Sequence, residues 1–200
     1  SYPLVLQSGA DPSTLGGVAV CGLTTVGSVG VIAASHLIAS LGLKPMGTVI
    51  HPEFPAVALI QESVPKHPVR VYQGGEMGVF ISEIQFPQAS DFQFGNTVLE
   101  WFQKGGFDRL VIIDGLVSED LGLKEDGDIW GVASLQSGRD ALDTVGIQRI
   151  QQGIVTGVSG FLLAEGERQG LDITVLLAEC NPVYPDCLLY TSPSPRDTEV

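Results

Sequence analysis

Val18-Ala19-Val20-Cys21-Gly22-Leu23-Thr24-Thr25-Val26-Gly27-Ser28-Val29-Gly30 passes from an apolar, mostly β-branched run through a glycine turn into a helical pattern. Downstream of the turn, Val29, Ile32, Ala33, Leu37 and Leu41 fall at three- and four-residue steps, the spacing that puts apolar side chains on one helical face. Ser28 is placed to cap a helix over 28–41, and Gly42 can adopt the left-handed stop. This strand, turn and helix set the expectation for the rest of the chain.

The remaining apolar runs match its first half. Thr48-Val49-Ile50, Val57-Ala58-Leu59-Ile60, Val69-Arg70-Val71-Tyr72, Val79-Phe80-Ile81, Leu110-Val111-Ile112-Ile113 and Ile173-Thr174-Val175-Leu176-Leu177 are short and largely β-branched, as buried strands are. They read as one sheet. A second helix is predicted from Asp91 to Lys104, with Phe94, Val98, Trp101 and Phe102 on one stripe and Gly105-Gly106 ending it. A third spans Ser159 to Gln169, capped by Ser159 and stopped by Gly170. Strands alternating with crossover helices predict an α/β fold: one domain over 1–187, a mixed, mostly parallel sheet flanked by helices in three layers.

Two segments break the pattern. Ser118 to Asp128 is acidic and glycine-bearing and reads as a surface loop, since it lacks the spacing of a calcium-binding loop. Residues 188–200 (LYTSPSPRDTEV preceded by Leu188) turn abruptly Ser/Pro-rich and read as a non-native or disordered tail outside the fold. The chain begins at Ser1 rather than Met, which reads as a trimmed start.

Composition narrows the function classes. Of 200 residues, 44% are hydrophobic and mean hydropathy is +0.26, enough apolar surface for a substantial core. Ten basic against 23 acidic residues give a net charge of -13, which argues against nucleic acid and anionic membranes as partners. No run approaches the ~20 apolar residues that span a bilayer. Cys21, Cys180 and Cys187 are odd in number and lack metal-site spacing, fitting a reducing cytoplasm.

Motifs for chemistry are incomplete. A dinucleotide fingerprint ending at Gly30 requires glycine where Thr25 stands. The turn still supplies a candidate anion or ligand contact at Gly27, Ser28 and Gly30 through free helix N–H groups, although close helix–sheet packing explains Gly27 and Gly30 equally well. Near Ser159, Phe161 occupies the position where a hydrolase serine turn needs glycine. His36, His51 and His67 show no spacing that pairs them with a nucleophile. Glu83, Asp114 and Glu179 each follow an apolar run and form a candidate strand-edge pocket, because ligands of α/β folds gather at such edges.

Gly22 to Leu41, Pro68 to Tyr72, Ser82-Glu83 and Gly153 to Asp186 resemble, in this order and spacing, the proteasome assembly chaperone family, including its archaeal members. The resemblance spans most of residues 17–186. It implies a phosphorylase/hydrolase-like α/β fold, self-association into a homo-oligomer and docking on proteasome α-subunits. It implies no cofactor and no established catalysis. The family's first turn usually carries Pro-Gly where Thr24-Thr25 stand, and Cys187 leads into the anomalous tail. Some members end in a hydrophobic-Tyr-any-residue tail; here the last residues are Thr198-Glu199-Val200, and Leu189-Tyr190-Thr191 is internal. Phe54, Phe86, Phe92 and Trp130 are candidate interface anchors. The alternative is a small-molecule hydrolase or phosphorylase using the strand-edge carboxylates.

Overall fold

The computed structural model describes residues 1–11, 16–117 and 128–180. The expectations for the 118–128 loop, apart from Asp128, and for the 188–200 tail therefore fall outside the described residues. In chain order the strands are β1 (Leu4–Leu6), β2 (Val18–Leu23), β3 (Lys44–Val49), β4 (Leu59–Gln61), β5 (Val64–Lys66), β6 (Val69–Gly74), β7 (Met77–Ser82), β8 (Arg109–Val117), β9 (Ile129–Ala133), β10 (Gln148–Arg149) and β11 (Ile173–Cys180). The helices are α1 (Val29–Ser40), α2 (Asp91–Lys104), α3 (Gln136–Thr144) and α4 (Gly157–Gln169).

Among the described residues one sheet carries nine strands in the order β1-β3-β6-β7-β2-β8-β11-β9-β10. Its centre, β7-β2-β8-β11, is parallel throughout. The flanks are antiparallel except for the β9–β10 pair. The sheet is thus mixed, with its parallel pairings concentrated where both faces are covered, as parallel strands require.

Alternation along the strands sorts the core into two layers. Ala19, Cys21, Phe80, Leu110, Ile112, Ile173 and Val175 pack with Phe94, Val98, Trp101 and Phe102 of α2 and Leu162 of α4. Val20, Val79 and Ile81 point the other way, onto Ala34, Leu37 and Ile38 of α1. Helix, sheet and helix layers make the three-layer architecture the apolar runs predict. The α2 stripe is buried as its periodicity requires, each large side chain contributing about 2 kcal/mol.

Some local expectations change. Ser28 occupies the cap position of α1 but has φ 53° and makes no side-chain capping bond. Helix α4 starts at Gly157, so Ser159 lies inside its first turn rather than capping it. The Val57–Ile60 run does not join the main sheet. Only its end enters a strand, β4, which pairs with β5 in a separate hairpin, because Pro65 in β5 lacks the N–H that a sheet interior needs.

Candidate functional site

The parallel strands place the site. From β2 the chain enters α1 on one face, whereas α2 joins β7 to β8 across the opposite face. Diverging connections leave a crevice at the carboxyl ends of the strands, where α/β folds bind ligands. A cleft of about 340 Å³ lies there, lined by Leu23, Thr24 and Thr25 at the end of β2, Ser82, Ile84, Gln85 and Phe86 at the end of β7, and Asp114 and Gly115 of β8, with residues of α2 and α4 closing it.

Asp114 is the most tightly held group in it. Its Oδ1 accepts hydrogen bonds from Thr25 Oγ1 at 2.5 Å and from the Gly115 N–H at 2.8 Å, and its Oδ2 accepts one from Ser159 Oγ at 2.8 Å. Loop, strand and helix are thereby tied together at one carboxylate. Cys21 sits fully buried on β2. Burial, reinforced by the charge of Asp114, pushes its thiol far above the usual range, so it is not a thiolate nucleophile. Asp91 opens α2 and also lines the cleft. Burial raises its carboxyl above the ordinary value.

The three strand-edge carboxylates do not share this space. Asp114 lines the cleft, but Glu83 borders a neighbouring groove between α1 and the β4–β5 hairpin. There Glu83 forms an ion pair with Arg70 at 2.8 Å and accepts a hydrogen bond from Gln61 Nε2 at 3.1 Å. Arg70, itself buried, also donates to Tyr72 Oη and the His67 carbonyl. Glu179 lies along β11 and accepts from Trp130 Nε1 at 2.8 Å and from the Asp128 N–H at 3.3 Å.

Gly27, Ser28 and Gly30 stand outside the cleft lining, with Ser28 bordering the neighbouring groove. A Cβ on Gly30 would lie 2.3 Å from the Ile113 carbonyl oxygen, and one on Gly22 would lie 2.2 Å from the Gly30 carbonyl oxygen. Contact between α1 and the sheet is what Gly22 and Gly30 permit. The aromatic residues separate as well. Phe54 is half-buried in a cluster with Tyr2, Phe86 and Phe94, Phe86 lines the cleft, Trp130 is tied to Glu179, and Phe92 is 63% exposed. Two residues of the cleft, Asp91 and Thr25, escaped sequence reasoning. The signal for Thr25 was its place two residues beyond β2, on the turn that leads from the strand end into α1.

Comparisons with known proteins agree on the fold. The chain matches a crystal structure of Pyrococcus furiosus PbaA, an archaeal homolog of proteasome-assembly chaperone, with TM-score 0.82 and 26% identity, covering 95% of this chain and 78% of that one. It matches Pyrococcus furiosus PbaB, an archaeal proteasome activator, with TM-score 0.74 and 19% identity over 92% of this chain and 82% of that one. A PAC2 family protein from Streptomyces avermitilis aligns with TM-score 0.62 and 18% identity, covering 87% and 82%. No curated protein matches the sequence significantly. The family model of the PAC2 family matches residues 19–198, nine-tenths of the chain, and the chain belongs to the PAC2 family.

Proposed function

We propose that this chain is a non-catalytic assembly factor of the proteasome, a cytoplasmic homo-oligomer that docks on proteasome α-subunits through protein–protein contacts. The observation that carries this reading is membership of the PAC2 family joined to 26% identity, over 95% of the chain, with a protein described as an archaeal homolog of proteasome-assembly chaperone. The net charge of -13 supports it, because an acidic body steers encounter with basic faces and disfavours wrong contacts.

The hydrolase or phosphorylase alternative needs converging carboxylates. Glu83 and Glu179 are instead engaged by Arg70 and by Trp130, away from the cleft that holds Asp114. That arrangement removes the geometry on which the alternative was built.

Reconstitution tests the proposal. Separately purified α- and β-subunits are mixed with and without this chain, and core-particle formation is followed on native gels. A chain that acts in assembly increases the rate or yield of complete particles without being consumed. Identical time courses at equimolar chain contradict the proposal.

A further inference from the structure

We propose that the cleft at the carboxyl ends of β2, β7 and β8 receives a lysine or arginine side chain presented by a protein partner. Asp91 and Asp114 would face the cation, with Phe86 and Phe94 along its apolar stem. The nature of the partner rests on the proposed function; the cation-binding character of the cleft does not.

Charge decides the class of ligand. Among the described residues the lining contains two carboxylates and no lysine, arginine or histidine. Helix N-termini open on the same space, α2 through Asp91 and α4 through Gly157, Val158 and Ser159. Each contributes about half a positive charge, so two carboxylates outweigh two helix ends and the cleft keeps a net negative field. An anion is repelled and a cation is drawn in.

The two carboxylates are also prepared differently. Asp114 is fixed by Thr25, Gly115 and Ser159, whereas the Asp91 carboxylate has no hydrogen bond or ion pair among the described residues. Its partial burial has no compensating partner among the described residues, and a neighbouring cation would supply one. Phe86 and Phe94 add aromatic rings to the lining, a side-chain type that attracts ammonium and guanidinium groups.

Size and rim favour a side chain over a free amine. At about 340 Å³ the cleft stands at the lower end of the ~300–1,000 Å³ typical of ligand pockets. Two prominently exposed apolar side chains lie close in sequence to lining residues: Phe92, 63% exposed, follows Asp91, and Ile154, 91% exposed, is two residues before Thr156. A small amine has no use for them, but a protein surface that inserts one basic side chain buries them around it.

The full chain is titrated with agmatine, with 1-pentanol as an uncharged alkyl control and with inorganic phosphate, by calorimetry and NMR. The expected result is one saturable agmatine site, at least about tenfold weaker in Asp91→Asn, with neither control binding there. Thermal melts verify that the variant is folded. In a second arm, wild type, Asp91→Asn and Phe92→Ser are incubated with α-subunits on native gels, and both variants are expected to capture less. Absence of saturable agmatine binding, or competition by phosphate, overturns the cation site. Agmatine binding that Asp91→Asn abolishes while α-subunit capture is unchanged overturns the partner assignment. Wild type that captures no α-subunit tells against the proposed function and that assignment, while the agmatine arm still decides the cleft.

Discussion

At Gly30 the sequence leaves a hydrogen where any other residue would place a carbon 2.3 Å from the Ile113 carbonyl oxygen. Backbone cannot move aside as a flexible side chain can, so Gly30→Ala is expected to destabilise the fold by about 3 kcal/mol or more, read as a lowered urea midpoint. An unchanged midpoint would mean that α1 does not sit so close to β8. Asp91 gives a prediction with a pH signature. Its folded carboxyl titrates above its ordinary value of 3.8 because of burial, so the folded state holds the proton more tightly than the unfolded chain. Its contribution is most favourable below 3.8 and is lost as pH rises through the folded value. Asp91→Asn should therefore raise the melting temperature at neutral pH, and the gain should shrink on acidification through the carboxylate range. At this scale the sequence exposed Asp114, a carboxylate ending an apolar run, and Gly30, a glycine at a strand–helix turn. It hid the role of Ser159, since a serine at a helix start looks like a cap until the strand beside it is known.

Elements were legible in proportion to how much apolar surface they bury. Helix α2 follows from its stripe of Phe94, Val98, Trp101 and Phe102, and the central strands follow from short apolar runs rich in β-branched residues. Helix α3 left no such trace, because only Gly138 and Leu142 are buried in its nine residues. The edge strand β1 is three residues long with two of them exposed, too little for a period to show. The β4–β5 hairpin misled for another reason. Its apolar side chains resemble a sheet strand, yet Ile60 and Val64 are 65% and 51% exposed. Its turn places Glu62 and Ser63 at φ 50° and 66°, the conformation for which hairpins favour Asn-Gly. Relief of left-handed strain at Ser63 outweighs the added chain entropy of glycine. Ser63→Gly is accordingly expected to stabilise the protein by about 0.5–1 kcal/mol, measured by thermal and urea unfolding; a destabilised variant would show that the turn is not left-handed.

For the whole molecule, the sheet order brings strands distant in sequence to one edge, and that edge holds Asp114 between a turn, a strand and a helix. A buried Arg70–Glu83 pair locks the neighbouring rim. Removing Arg70 leaves its partner carboxylate without a counter-charge, so Arg70→Ala should cost about 3–5 kcal/mol without altering agmatine binding at the separate cleft. Fold class and family were visible in order and spacing along the chain. The shape of the cleft was not, since it depends on which residues the crossovers bring together. The most direct measurement is native mass spectrometry of this chain mixed with proteasome α-subunits at near-physiological ionic strength. The account predicts assemblies containing both chains in fixed ratio; two sets of peaks, each from one protein alone across the accessible concentration range, would contradict it.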